Sequence, residues 1–295
     1  MMDLKQEMKE RCVYIEQALE QAVPEQKDFP PVIFEAMRYS LLAGGKRLRP
    51  MMVLAACEAV GGKKEDALPF ACALEMIHTY SLIHDDLPAM DNDDYRRGRL
   101  TNHKVFGEDM AILAGDGLLH HAMETMADAC VKNPTPQTTG AMKAIAHGAG
   151  VEGMLVGQVV DVFMEGKPLD IETLDFIHLH KTAAMIRGAL QAGAICGGAD
   201  EKTVAAFALA GEKIGIAFQI LDDILDVTST LEELGKPIHS DDKNEKTTYV
   251  TLKGLKQAEK DVEEISARAI EGLASIPYKN VFLTELIKSL VYREK

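Results

Sequence analysis

Glu75-Met76-Ile77-His78-Thr79-Tyr80-Ser81-Leu82-Ile83-His84-Asp85-Asp86-Leu87-Pro88-Ala89-Met90-Asp91 closes a stretch, residues 65–86, in which apolar side chains recur every three or four positions. The spacing predicts a helix that is apolar around most of its circumference, so other helices must cover it on all sides. Residues 137–163 and 200–227 read the same way. The second of these ends in Phe218-Gln219-Ile220-Leu221-Asp222-Asp223-Ile224-Leu225-Asp226, with Ala208, Ala210, Gly211, Gly215 and Ala217 allowing close packing. Further helices are expected at roughly 2–22, 30–43, 50–60, 108–131, 170–197, 255–273 and 279–292. Gly44-Gly45, Gly61-Gly62, Asn133-Pro134, Gly166 with Pro168, and Gly197-Gly198 punctuate them. No sustained alternating run marks a sheet. The expected fold is all-α, a single-domain bundle of about ten or more helices over residues 1–295.

A chain of 295 residues with 47% hydrophobic content and no Trp is long enough for one large core. Its formal net charge of −14 argues against nucleic acid as a partner. No uncharged apolar run reaches the ~18–20 residues of a membrane span, and Met1-Met2-Asp3-Leu4-Lys5-Gln6-Glu7 lacks a signal peptide's apolar core. A cytoplasmic protein without an integral membrane segment is expected. The five cysteines, Cys12, Cys57, Cys72, Cys130 and Cys196, are odd in number and form no Cys-x-x-Cys pair, so they read as buried, reduced and structural.

The two aspartate clusters carry the chemistry. Buried carboxylates at this density repel one another unless a hard cation neutralises them, and Mg²⁺ takes such oxygens together with phosphates. Oxygen ligands suit Mn²⁺ as well. Asp222 and Asp226 are four apart and share a helix face. In the first cluster Pro88 and two extra residues intervene, so the helix must bulge or end, and Asp85 and Asp91 converge only if the turn folds back. A solvated helix end would explain one such cluster, whereas two point to a metal-diphosphate site. Asn92, Asp93 and Asp94 read as an exposed acidic loop. Basic residues flank the clusters: Lys46, Arg47 and Arg49 after a glycine turn, Arg96 and Arg97, and then Lys181, Lys236 and Lys246. Arg supplies forked donors for phosphate oxygens and Lys a point charge. Any one of these lysines alone is an ordinary surface residue.

These stretches together resemble the trans-isoprenyl diphosphate synthases, and among them the bacterial farnesyl diphosphate synthases. The resemblance runs over nearly the whole chain. It is carried by Gly44-Gly45-Lys46-Arg47-Leu48-Arg49-Pro50, Glu75-Met76-Ile77-His78, Asp85-Asp86-x-x-x-x-Asp91, Arg96-Arg97-Gly98, Lys181-Thr182, and Phe218-Gln219 before Asp222-Asp223-x-x-Asp226. It implies an isoprenoid-synthase bundle around a deep central cavity and a homodimer. It also implies a Mg²⁺-dependent head-to-tail condensation of isopentenyl diphosphate with dimethylallyl or geranyl diphosphate through an allylic carbocation.

By the same resemblance Asp85 and Asp91 would bind two of three Mg²⁺ ions and Asp222 the third, with Asp86, Asp223 and Asp226 as supporting or alternative ligands. Arg96, Lys181, Lys236 and Lys246 would grip the allylic diphosphate. Lys46, Arg49, His78 and Arg97 would bind isopentenyl diphosphate without metal. Thr182 and Gln219 would set oxygen dipoles beside the cation, and the released diphosphate would take the final proton. His78 on an apolar helix also reads as a hydrogen-bonded core residue. Met51, Met52 and Met154 read as core filling. Tyr80 and Ser81, about 6 to 8 Å above Asp85 along a helix, would floor the product tunnel. An aromatic residue at Tyr80 implies a fifteen-carbon product, farnesyl diphosphate, with geranylgeranyl diphosphate as the alternative.

Other readings fit less of the chain. A class I terpene cyclase has no second prenyl substrate, which leaves Lys46, Arg49 and Arg97 without purpose. A di-iron bundle needs two Glu-x-x-His pairs, and only Glu75-x-x-His78 fits. A non-catalytic regulatory subunit typically loses aspartates that this chain keeps.

Overall fold

The computed structural model describes residues 2–26, 30–228, 247–274, 276 and 281–291. Lys236 and Lys246 therefore lie outside the described residues. The helices are α1 (Leu4–Ala22), α2 (Val32–Leu41), α3 (Leu48–Ala59), α4 (Lys64–Asp85), α5 (Asn102–Phe106), α6 (Glu108–Lys132), α7 (Pro136–Ala149), α8 (Met154–Phe163), α9 (Ile171–Ile177), α10 (Ala184–Cys196), α11 (Glu201–Thr228), α12 (Tyr249–Lys253), α13 (Leu255–Ala274) and α14 (Val281–Val291). The fold is all-α.

Local chemistry starts several of them. Asp3 caps α1 by accepting from Gln6 N at 3.2 Å, and Asp170 caps α9 through Thr173 N at 2.8 Å. Thr135 and Thr138 form a reciprocal capping box at the start of α7, where Pro136 loses no hydrogen bond.

As its pattern predicts, α4 is the central helix: Phe70, Leu74, Met76, Ile77 and Ile83 are all buried, and α1, α2, α3, α6, α7 and α10 pack around it. Met51 and Met52 fill the same core. A smaller cluster of Leu174, Ile220, Leu221, Ile224, Tyr249, Ala258 and Val262 ties α9, α11, α12 and α13 together. By length and composition alone α11 could cross a membrane, but it packs against α10 and α13 as a core helix does.

Three sequence expectations need correction. The helix expected over 137–163 is two helices, because the chain turns at Gly150–Gly153, where Gly150 N bonds His147 O and Gly153 N bonds Gly150 O. Its second half is not central: Leu155, Val159, Val162 and Phe163 of α8 are exposed. The helix expected over 170–197 widens to a π-helical turn, His178–Ala183, between α9 and α10. A two-stranded antiparallel hairpin also appears, Tyr95–Arg96 against Arg99–Leu100, closed by left-handed Arg97 and Gly98. Of the cysteines, Cys57 and Cys72 are buried and pushed up to about 12 by desolvation, while Cys12, Cys130 and Cys196 are only half-buried; all five are free.

Leu74 is fully buried at the centre of α4. Leu74→Ala should destabilise the fold by about 2–5 kcal/mol, read as a lower urea midpoint at unchanged slope.

Candidate active site

Helix α4 ends at Asp85, and the chain folds straight back: Asp91 N donates to Asp85 O at 2.8 Å, and Asn92 N to Leu87 O at 3.1 Å. The turn thus supplies the fold-back on which convergence of Asp85 and Asp91 depends, with Asn92 taking a left-handed conformation to complete it. Desolvation raises the pKa of Asp85, and Asp91 and Asp161 raise it further, while Lys181 and Arg96 oppose the shift.

Asp86 faces a different partner. It is buried, and Arg96 closes on its Oδ1 with Nη2 at 2.6 Å and Nε at 2.7 Å. Burial pushes Asp86 up to about 6 and Arg96 offsets part of that rise, so at neutral pH the carboxylate is ionised and held by the guanidinium. Asp86 is therefore a support for Arg96, and Arg96 also reaches Asp93 at 3.7 Å. Asp93 and Asp94 are exposed, as expected of an acidic loop.

The π-helical turn carries Lys181 and Thr182. Lys181 Nζ donates to Asp161 Oδ2 of α8 at 2.6 Å, and Thr182 is buried. One residue of α8 makes this approach feasible: a Cβ on Gly157 would sit 2.3 Å from Lys181 N. The next residue, Gln158, donates from Nε2 to Asp85 Oδ1 at 2.8 Å. Helix α8 thus touches both the first carboxylate and the lysine. Sequence reasoning missed Gln158 and Asp161, although the signal existed: they stand three apart, a polar pair on a helix whose other face is Val159, Val162 and Phe163.

On α11, Gln219, Asp222 and Asp223 are half-buried and Asp226 is buried. Asp223 accepts from Tyr249 N at 2.7 Å and lies 4.0 Å from His178 Nε2, so it anchors the start of α12. Desolvation lowers the pKa of Arg49, and Asp222 is close enough to oppose that shift alongside Glu75, which links the second cluster to the basic loop.

In that loop Lys46 is exposed, and Arg49 Nη1 lies 3.4 Å from His78 Nε2. Arginine only donates, so Nε2 accepts and the ring is neutral. Desolvation, then Arg49, Arg97, Arg96 and Arg47, hold His78 well below its usual pKa, consistent with that geometry. Arg97 Nη1 donates to Gly44 O. Tyr80 is buried with its ring edge-on to His84, centroids 5.7 Å apart, and Ser81 Oγ donates to His78 O at 2.9 Å.

Among the described residues no three His, Cys, Asp or Glu side chains close into a metal cage. Mg²⁺ needs none, since it commonly takes one or two carboxylates and completes its shell with water and substrate phosphates. The mutually repelling Asp85 and Asp91 fit that pattern.

The Polyprenyl synthetase family profile matches residues 30–276. The chain belongs to this family of prenyltransferases. A geranylgeranyl diphosphate synthase of Cyanophora paradoxa is 46% identical over 285 residues, covering 96% of this chain and 94% of the relative. A chloroplastic geranylgeranyl pyrophosphate synthase of Catharanthus roseus is 47% identical over 294 residues, covering 99% and 82%. The crystal structure of a Helicobacter pylori geranyltransferase complexed with magnesium and isoprenyl diphosphate superposes with a TM-score of 0.84 at 33% identity, covering 99% of this chain and 98% of that one.

The Gln158 amide restrains one oxygen of Asp85. Gln158→Ala should weaken Mg²⁺-dependent binding of inorganic diphosphate about tenfold in calorimetry, the worth of one hydrogen bond to a charged group.

Proposed function

We propose that this prenyltransferase condenses isopentenyl diphosphate with an allylic diphosphate, dimethylallyl or geranyl, and that its principal product is geranylgeranyl diphosphate. The chemistry is supported by the convergence of a folded-back aspartate pair, a lysine on a π-turn and a cluster of arginines around a neutral histidine. The product length is supported by the relatives, whose names specify geranylgeranyl diphosphate at 46% and 47% identity.

Asp85 and Asp91 on one side and Asp222 on the other would hold Mg²⁺, which supplies charge neutralisation to the departing diphosphate. Lys181 would exchange Asp161 for a diphosphate oxygen. Arg96, fixed by Asp86, would add donors to the same group. Lys46, Arg49 and Arg97 would bind the diphosphate of isopentenyl diphosphate, with neutral His78 as a hydrogen-bonding partner that adds no charge. Thr182 and Gln219 would present oxygens towards the allylic cation, dipoles that stabilise positive charge without trapping it. A homodimer in the cytoplasm completes the proposal.

A second product reading rests on Tyr80. It is buried five residues before Asp85, about 7.5 Å along the helix, where its ring would stop a growing chain at fifteen carbons and give farnesyl diphosphate.

Purified protein incubated with isopentenyl diphosphate, each allylic starter and Mg²⁺, followed by dephosphorylation and chromatography, decides between them. Geranylgeraniol as the dominant alcohol supports the first reading, and farnesol the second. Absence of elongation overturns both. Asp85→Ala or Asp222→Ala should lower turnover by roughly 10²-fold or more, and near-parental turnover in either would remove that residue from the site. If Tyr80 floors the tunnel, Tyr80→Ala lengthens the product by at least one five-carbon unit.

A further inference from the structure

Arg47 is a non-glycine residue in the left-handed region, φ 48°, and its side chain is wholly buried. Neither state is favourable alone, since left-handed backbone is strained and a buried guanidinium loses its hydration. Both persist because the surroundings hold the side chain at two points. Nη1 lies 2.8 Å from Glu75 Oε1, whose side chain is 3% exposed, and Nη2 donates to Leu41 O at 2.7 Å. Glu16 lies at the rim, 3.7 Å from Nε.

The placement of this pair is what gives it meaning. Arg47 stands between Lys46 and Arg49, and Glu75 stands one turn before His78 on α4. Thr79 Oγ1 donates to Glu75 O, keeping that turn of α4 closed. The guanidinium of Arg97 lies against Gly45 and donates to Gly44 O, so a fourth basic residue joins Lys46, Arg47 and Arg49 at the same loop.

We propose that the Arg47–Glu75 ion pair is a positioning device that sets the register of the Gly44–Arg49 loop on α4, so that Lys46, Arg49, His78 and Arg97 form one pocket for the diphosphate of isopentenyl diphosphate. The inference rests on the reading of those four residues given under the proposed function. Neither Arg47 nor Glu75 touches substrate; both act through their neighbours.

Electrostatics support the geometry. Arg49, Arg97, Arg96 and Arg47 all act on His78, and Glu75 is the carboxylate that most strongly opposes the lowered pKa of both Arg49 and Arg97. Without ligand, Glu75 supplies the negative charge that keeps the guanidinium groups together. A diphosphate supplies more of it on the open side, so the pocket is assembled before the substrate arrives.

A buried pair can often be replaced by apolar residues of similar size without loss of stability, so a double replacement can separate a positioning role, which affects one substrate, from a purely structural one, which would affect both. The test is Arg47→Met/Glu75→Met, with Arg47→Lys as the milder variant that keeps the charge but loses the fork bridging Glu75 and Leu41 O. Thermal midpoint, calorimetric affinity for isopentenyl diphosphate in chelator, and affinity for an allylic diphosphate with Mg²⁺ are measured for each. The expected result is a midpoint near the parent's, isopentenyl diphosphate bound at least tenfold more weakly, and allylic affinity within twofold. Should the double variant fail to fold, Arg47→Lys carries the same expectation. Parental affinity for isopentenyl diphosphate in a folded variant, or equal loss for both substrates, overturns the proposal. If the parent itself binds no isopentenyl diphosphate, the reading of the pocket fails and the proposal with it.

Discussion

Carboxylates at the ends of two buried helices repel one another, and an interior of low dielectric amplifies the repulsion. The site is organised around that problem. Asp86 answers it with Arg96, Asp223 with the backbone of Tyr249, and Asp161 with Lys181. Asp85 accepts from the Gln158 amide, which supplies no charge, and burial raises its pKa against the opposing pull of Lys181 and Arg96. With these neighbours satisfied by protein, Asp85 and Asp91 are left as the pair proposed to take a cation.

The basic side obeys the mirror-image constraint. Guanidinium groups gathered around His78 repel, and a protonated imidazole there would add to the repulsion, so the ring stays neutral and accepts from Arg49. Glu75 is the buried counter-charge. It is a weaker binder of several arginines than a dianionic phosphate would be, and that difference leaves the pocket both preformed and receptive.

Much of this was legible in the sequence because it depends on periodicity and charge. The buried character of α4 follows from spacing alone, whereas spacing left the fold-back between Asp85 and Asp91 conditional on the turn, and the grouping of Arg49 with His78 came from the family resemblance. What was not legible depends on how helices meet. Nothing in Gly150-Val151-Glu152-Gly153 distinguishes a flexible helix from a broken one until His147 O and Gly150 O accept the turn's hydrogen bonds. The π-turn at His178–Ala183 is the widening of a helix by one residue, with no compositional mark. Gln158 and Asp161 looked like two polar positions on an apolar helix, and only the close approach at Gly157 shows that they face Asp85 and Lys181. Exposure of the opposite α8 face explains why a pattern apolar all round misplaced that helix in the centre.

One helix relates these parts to each other. Glu75, His78, Tyr80 and Asp85 lie within eleven residues of α4, a span of about 15 Å. The counter-charge of the basic cluster, its neutral histidine, the aromatic ring proposed to meet a growing chain and the first carboxylate proposed to hold metal are thus borne on one helix. A helix packed against six others resists a shift of register to suit a longer substrate. If the product grows along α4 as proposed, a difference in product length between this chain and its relatives would arise from side chains facing that path, Tyr80 among them, or from the helices opposite, rather than from movement of α4 itself.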